Sequence, residues 1–347
     1  MKPNFFQTTL IVILLSLLSA CSQKSEIQKI EGFAQGTSYH ITYILPATPI
    51  NTDEIEQEIN QELDRIDLAL SNYRDDSAIE KFNANQTSDV LAVEAELVDL
   101  VEQARTVYQA SNGCYDLTIK PLFDLWGFKK DVFSPPTDSE LSATMATVGM
   151  NFLETVDAIH LRKAIPKLRI DVSSIGQGYA VSRVANILEQ HKVESYLVEI
   201  GGELKVKGKK PGGEAWKIAL EKPLPNERKL QKIVSFNSGA PYALMTSGTY
   251  RHYFDSKGKR YSHVLDARTG TPITHDTVST TVLNADPTVA DAWSTALLCL
   301  GSKEGVKIAN QHGIAVLFID QKNNQLTEIE SKPFSSLSDV SFEEPKK

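Results

Sequence analysis

The chain contains few of the residues that mark a disulfide-stabilised or a nucleic-acid-binding protein. Only three of its 347 residues are cysteine, which is too few for a fold built on a framework of disulfides. The 36 lysine and arginine residues are outnumbered by 44 aspartate and glutamate residues, and the net charge of −8 argues against a nucleic-acid partner. No low-complexity stretch divides the chain, so one continuous domain is the simplest organisation.

Long apolar runs are absent except for one at the amino terminus. Residues 10–18 read LIVILLSLL and follow Lys2. This run is shorter than the roughly 20 residues that a transmembrane helix needs, and a basic start before a short apolar core is typical of a signal peptide.

The end of this run resembles a bacterial lipobox, in which cleavage precedes a cysteine that then carries lipid. The residues are Leu18-Ser19-Ala20-Cys21, and an ordinary secretory peptide with a chance cysteine is the alternative. We predict a lipoprotein signal peptide over residues 1–20 and a tether over residues 21–30, lipidated at Cys21. Lipid chains would hold the protein to a membrane without spanning it. The expected location is the bacterial cell envelope, facing the periplasm, with the inner membrane as the expected anchor.

Two further cysteines lie in different kinds of segment. Cys114 falls in an apparent loop motif and Cys299 in an apolar helical pattern. We therefore expect two free thiols.

Apolar periodicity predicts several helices. Residues 52–70 and 94–110 place apolar side chains at steps of three and four. Residues 178–190 are expected to form a helix after a strand at Leu168–Val172. A further helix from Asp291 to Leu300 is expected to end at Gly301.

Alternating patterns predict strands and an overall α+β fold. Residues 31–45 favour a first strand, and residues 196–200 and 203–207 flank Gly201-Gly202 as a β-hairpin would. Hairpins interspersed with helices indicate a single large domain of mostly antiparallel sheet layered with helices. We assign this domain to residues 31–330 and a polar tail to residues 331–347.

Three short motifs carry candidate chemistry. Asp291 and Thr295 lie one helical turn apart and would present hard oxygen ligands of the kind that Mg²⁺ prefers, although such residues also cap helices. Residues 171–178 read DVSSIGQG and favour a strand end and a helix N-terminus, where phosphate binds well. His263 follows a strand pattern and could act as a base.

The motif at residues 171–178 also resembles a dinucleotide-binding fingerprint. Val181 stands where that fingerprint has its third glycine, and its side chain would hinder close packing of helix on strand. Glu199 then leads into another strand instead of a helix. The sequence therefore argues against a Rossmann fold.

Taken together and in order, the motifs closely resemble the ApbE family of FAD:protein FMN transferases. The matching segments span roughly residues 33–320 and are residues 35–39, 70–77, 113–118 with 121–128, 171–180, 197–204, 246–248, 262–270 and 290–301.

The resemblance implies a role for individual residues. The positions where the family contacts FAD, its substrate, are Gln35, Tyr73, Cys114, Tyr115, Asp116, Asp171, Gln177 and Val264. The positions where it binds magnesium are Ser174 through its carbonyl, Asp291, Ser294 and Thr295, and His263 is the expected catalytic base. Gln35, Gln177 and Ser294 depart from common family forms.

The resemblance also implies the reaction and its partners. The expected activity is Mg²⁺-dependent transfer of FMN from FAD to a threonine hydroxyl of flavoprotein subunits in membrane redox complexes, with release of AMP. Two alternatives stay open. One is a pyrophosphatase that cleaves FAD to FMN and AMP, and the other is a non-enzymatic flavin-binding lipoprotein. The sequence does not indicate which acceptor protein is modified or how many subunits assemble.

Overall fold

The structure is a computed structural model of the chain. It describes residues 26–128, 133, 135–224, 229–250, 253–256, 259–323 and 325–345. The predicted signal peptide and Cys21 lie outside these residues. Among the described residues, no helix combines the length and the apolar character that crossing a membrane would require.

An eight-stranded antiparallel sheet forms the centre of the fold. In spatial order its strands are β1 (Ile27–Ala34), β2 (Thr37–Ile44), β6 (Tyr196–Ile200), β7 (Glu203–Lys207), β10 (Tyr242–Gly248), β15 (Thr277–Asn284), β16 (Ala315–Lys322) and β17 (Gln325–Glu330). Successive side chains of a strand point to opposite faces of a sheet. Leu244 and Met245 accordingly enter two different hydrophobic clusters.

The described residues form helices α1 (Thr52–Leu70), α2 (Ala78–Ala84), α3 (Ala95–Ala110), α4 (Lys120–Trp126), α5 (Asp138–Met145), α6 (Gly176–Gln190), α7 (Pro287–His312) and α8 (Lys332–Ser335). Helices α1, α3, α6 and α7 cover one face of the central sheet, whereas Phe334 of α8 is buried against the other face. The largest core cluster lies between the sheet and helices α1, α3, α6 and α7. Helix α1 buries Ile55, Ile59, Leu63 and Ile66 there, as its sequence period predicts.

A three-stranded antiparallel sheet covers the opposite face. Its strands are β8 (Trp216–Glu221), β9 (Leu230–Phe236) and β18 (Val340–Glu343), in the order β18-β9-β8. Phe334 and Val340 are buried in the cluster between the two sheets. The segment expected to be a polar tail from residue 331 therefore contains a helix and a strand, and the folded domain extends beyond residue 330.

The remaining strands are short. They are β3 (Val90–Ala92), β4 (Leu153–Asp157), β5 (His160–Lys163), β11 (Tyr253–Ser256), β12 (Lys259–Ser262), β13 (Leu265–Asp266) and β14 (Thr271–Pro272). A third cluster, which includes Trp126, Leu265 and Ala267, lies beside β13 and β14.

The amino-terminal segment forms two strands where a single strand was predicted. Strands β1 and β2 pair through a turn at Gln35 and Gly36, with φ of 52° and 76°. Left-handed backbone at two successive residues suits a tight hairpin turn. The tether was expected to reach residue 30, but ordered strand begins at Ile27.

The predicted strand at Leu168–Val172 is wrong. The segment is buried but irregular, because distant side chains bond its main chain. The Asn83 amide oxygen accepts the Ile170 N–H at 2.7 Å, and the Asn72 amide oxygen accepts the Val172 N–H at 2.9 Å. Side chains thus replace a strand partner, and helix α6 follows from Gly176.

The prediction of two free thiols is also wrong. Cys114 and Cys299 form a disulfide whose Cα atoms lie 6.0 Å apart. They are separated by 185 residues in the sequence, and the fold brings them together in the core. Local sequence pattern carries no signal for so distant a contact.

Candidate active site

A cavity of about 1290 Å³ opens at the meeting point of the β1–β2 turn, helix α6 and helix α7. This volume exceeds the roughly 300–1,000 Å³ of common ligand pockets, so a large ligand fits. Almost every candidate residue from the sequence lies on its wall: Gln35, Tyr73, Cys114, Tyr115, Asp116, Asp171, Ser174, Gln177, His263, Val264, Asp291 and Thr295.

Asp291 is the central acidic group of this cavity. Its residue is 5% exposed, and one of its carboxylate oxygens accepts the Gly178 N–H at 2.8 Å. Burial raises the pKa of Asp291 to about 7, against the opposing effect of this hydrogen bond. Within the described part of the chain, Asp291 forms no ion pair with a basic side chain.

Two adjacent hydroxyl residues of helix α7 have different surroundings. Thr295 lines the cavity, and its hydroxyl lies 3.0 Å from the Ser247 hydroxyl. Ser294 is fully buried behind the wall, where its hydroxyl donates to the Asp291 carbonyl at 2.8 Å and contacts Ser247 at 2.7 Å. The structure therefore brings Thr295, but not Ser294, to the cavity beside Asp291.

The start of helix α6 lines the cavity next to Asp291. The Ser174 hydroxyl donates to the Tyr115 phenolic oxygen at 3.1 Å, and burial raises the pKa of Tyr115. The Asp171 carboxylate accepts the Ser173 N–H at 2.9 Å and also contacts the Ser173 hydroxyl. Burial raises the pKa of Asp171. The Gly176 N–H donates to the Val172 carbonyl at 2.8 Å and the Gly178 N–H to Asp291, so it is mainly the helix dipole that favours an anion at this end of α6.

Asp116 has both carboxylate oxygens occupied by the protein. One accepts the Thr118 N–H at 2.7 Å and the Thr118 hydroxyl at 2.6 Å, and the other accepts the Met150 N–H at 3.0 Å. Burial raises the pKa of this group. These bonds fix the loop that carries Tyr115, so the geometry gives Asp116 a part in shaping the wall.

The mouth of the cavity is formed by the β1–β2 turn and the residues after helix α1. Tyr73 is 78% exposed there, which leaves its ring accessible for stacking on an aromatic ligand. Gln35 lies in the turn with φ of 52°. The Gln177 amide packs against Gly201, since a Cβ on that glycine would lie 2.6 Å from the Gln177 side-chain nitrogen.

His263 and Val264 reach the cavity from the segment before strand β13. The Val264 N–H donates to the Ser262 hydroxyl at 3.0 Å, and its carbonyl accepts the Ile273 N–H at 3.1 Å. These bonds fix the backbone next to His263, which lines the same cavity as Asp291.

Sequence reasoning missed several residues that build the wall. Ser247 lies within the matched segment 246–248 but was given no role. Asn72, next to Tyr73, is buried and bonds the segment that carries Asp171. Lys120 is 3% exposed and lies 3.0 Å from the Glu80 carboxylate. No local pattern in the sequence indicates that Lys120 is buried.

The fold places a large cavity beside a buried carboxylate, that of Asp291. The sequence profile of the ApbE family matches residues 35–318. The chain belongs to the ApbE family, which confirms the family predicted from its motifs.

Relatives of known name cover nearly the whole chain. The chain is 37% identical over 329 residues to the FAD:protein FMN transferase of Vibrio cholerae, covering 93% of this chain and 97% of the relative. It is 34% identical over 315 residues to the FAD:protein FMN transferase of Salmonella typhimurium, covering 87% and 89%. These names agree with the predicted enzyme.

Solved structures share the fold. The flavin transferase ApbE from Vibrio cholerae matches with a TM-score of 0.81 and 36% identity, covering 90% of this chain and 99% of that structure. The apo flavinyl transferase ApbE of Pseudomonas stutzeri matches with a TM-score of 0.82 and 35% identity, covering 90% and 97%. The predicted α+β domain is confirmed.

Proposed function

We propose that this chain transfers FMN from FAD to a threonine hydroxyl of an acceptor protein, with release of AMP and with Mg²⁺ as cofactor. The observation that carries the proposal is the shared cavity, where Asp291 and Thr295 lie one helical turn apart and His263 and Tyr73 line the same space. The names of the family members support the transfer from FAD.

The donor set on helix α7 fits a magnesium ion. The Asp291 carboxylate is desolvated and receives one main-chain N–H but no basic side chain from the described residues. A buried carboxylate without a counter-charge is costly, and a divalent cation would supply that charge. The Thr295 hydroxyl and the Ser174 carbonyl would add two oxygen ligands of the kind that Mg²⁺ prefers. A bound Mg²⁺ supplies Lewis-acid stabilisation of the charge on a phosphoanhydride.

The residues of this chain would position the reactants. Tyr73 would stack on an aromatic part of FAD, and the N-terminus of helix α6 would hold phosphate oxygens. The threonine oxygen forms a bond to the phosphorus of the FMN half, the phosphoanhydride bond to the AMP half breaks, and the hydroxyl proton passes to His263. Holding the hydroxyl in line with that phosphorus removes much of the entropic barrier.

We further propose that lipid on Cys21 anchors the protein in the cell envelope, facing the periplasm. The Cys114–Cys299 disulfide supports this placement, because disulfides persist in oxidising compartments. Acceptors would then be flavoprotein subunits of redox complexes in or near the same membrane. Cys21→Ser should move the protein from the membrane fraction to the soluble fraction of cells, and an unchanged distribution would contradict the anchor.

The transfer is tested by the mass of an acceptor. The full chain in detergent is incubated with FAD, Mg²⁺ and a flavoprotein acceptor domain, and the same domain with its acceptor threonine changed to valine is the control. We expect the mass of one FMN on the first domain only. AMP without an adduct would indicate the pyrophosphatase, and bound FAD without AMP would indicate the carrier.

A further inference from the structure

The disulfide joins two parts of the active-site wall. Cys114 precedes Tyr115 and Asp116 in the loop after helix α3, and Cys299 lies in helix α7. Both cysteines are buried, and both line the cavity. The bond therefore lies inside the candidate site.

On helix α7 the disulfide lies on the same face as the proposed metal ligands. Asp291, Thr295 and Cys299 follow one another at steps of four residues, which places them on one side of a helix. All three reach the same cavity. Helical backbone breaks just beyond them, at Gly301, where φ is 71° and ψ is 168°. The bridge therefore attaches to the last turn of the straight segment that carries Asp291 and Thr295.

On the other side the disulfide holds the loop that carries Tyr115 and Asp116. The Cys114 carbonyl accepts the Ala267 N–H at 3.3 Å, which connects the loop to the segment that follows His263. Tyr115 in the same loop contacts Ser174. The disulfide thus joins the loop to helix α7, and hydrogen bonds connect the loop to the segment after His263 and to Ser174.

We propose that the Cys114–Cys299 disulfide is a positioning pair that fixes the Tyr115 loop against the Asp291–Thr295 face and so sets the affinity for FAD. This inference rests on the proposed function, since FAD is the ligand. Neither sulfur takes part in the transfer. The disulfide affects binding only by holding the loop against helix α7. When the disulfide is broken, the loop and helix α7 can move separately.

Reduction would break the bond between the loop and helix α7. A dithiol donates two electrons and two protons, the S–S bond breaks, two thiols form, and the dithiol becomes a cyclic disulfide. Reoxidation reverses these changes. The affinity for FAD therefore depends on the redox state of this pair.

The test measures FAD binding and transfer in three forms of the full chain. The forms are the oxidised wild type, the wild type reduced with dithiothreitol, and the double variant Cys114→Ala/Cys299→Ala. FAD binding is measured by flavin fluorescence well below the melting temperature, and alkylation of unfolded protein before and after reduction counts the thiols. Reduction should raise Kd and KM for FAD by roughly tenfold to a hundredfold with a smaller change in kcat, since small misplacements cost up to about 10²-fold.

The double variant provides the matched control. It should bind FAD as weakly as the reduced wild type and should not respond to dithiothreitol, whereas reoxidation should restore the wild type. Free thiols at Cys114 and Cys299 in the untreated protein, located by mass spectrometry so that Cys21 is not counted, would overturn the proposal, as would a lower melting temperature with unchanged Kd for FAD. FAD binding is measured without an acceptor protein. If the Kd for FAD depends on the redox state but no transfer occurs, the proposed function is contradicted and this inference stands. Transfer with a redox-independent Kd would contradict this inference alone.

Discussion

The Asp291 carboxylate accepts the main-chain N–H of Gly178 at 2.8 Å and so joins helix α7 to the first turn of helix α6. The first-turn amides of a helix lack helical acceptors, and the helix dipole favours negative charge there. One residue thereby links the proposed phosphate wall to the proposed metal face. The two helices pack so closely at this point that Gly178 has no room for a side chain, since a Cβ would lie 2.4 Å from the Pro287 carbonyl oxygen and 2.6 Å from the Asp291 Cβ.

We predict that Gly178→Ala displaces helix α7. The added methyl would meet main-chain atoms of Pro287, which cannot rotate away, so the free energy of unfolding should fall by about 1–3 kcal/mol. Gly176→Ala is the matched control, because apart from its chain neighbours and the backbone of its own helix no atom lies within 4 Å of its Cβ position. It should leave stability unchanged or raise it by up to about 1 kcal/mol. Urea denaturation compares the two, and equal stabilities would contradict the packing argument.

We predict that Asp291→Asn removes metal-dependent transfer while the fold persists. The amide oxygen can still accept the Gly178 N–H, but the charge that would hold Mg²⁺ is gone. Because electrostatic stabilisation at the reacting centre contributes roughly 10²–10³-fold, kcat should fall by at least that factor. The melting temperature and the rate are measured together. A variant that keeps the wild-type rate at low Mg²⁺ would show that Asp291 is not a ligand.

We predict opposite outcomes at two neighbouring hydroxyls. Thr295→Val should raise the Mg²⁺ concentration needed for half-maximal transfer, because the hydroxyl on the cavity wall is lost. Ser294→Ala should change that concentration little and should lower stability by about 1 kcal/mol, since its hydroxyl is engaged within the core. Magnesium titrations of the two variants decide the matter. If Ser294→Ala raises the required Mg²⁺ concentration more than Thr295→Val does, Ser294 is a magnesium ligand.

We predict that His263→Gln slows transfer by roughly 10²–10⁴-fold, the usual contribution of a general base. Affinity for FAD should be retained, because the proton that His263 would take belongs to the acceptor threonine. Single-turnover rates with bound FAD separate the chemical step from binding. A wild-type transfer rate in the variant would show that a group other than His263 is the base.

The sequence predicted the parts of the fold that local periodicity determines. Helix α1 begins and ends at the predicted residues, the hairpin around Gly201-Gly202 is present, and helical backbone breaks at Gly301. Each of these features depends on side-chain spacing or on a glycine in left-handed backbone.

The sequence could not predict features that depend on distant contacts. Residues 168–172 alternate apolar and charged side chains as a strand does, but Asn72 and Asn83 bond their main chain from far along the sequence. The disulfide spans 185 residues, and strand β18 pairs within its sheet with β9, which lies far earlier in the chain. Ser294 and Thr295 are adjacent hydroxyl residues in the sequence, and only the packing of helix α7 shows that Thr295 lines the cavity while Ser294 is buried.

The most direct test of the account is the stoichiometry of AMP released to FMN bound on the acceptor threonine, measured across a Mg²⁺ titration with the full chain. The account predicts one AMP for each threonine adduct, no products in the presence of a chelator, and recovery of both when Mg²⁺ is restored. Continued AMP release or adduct formation without a divalent cation, or an adduct on another residue, would contradict it.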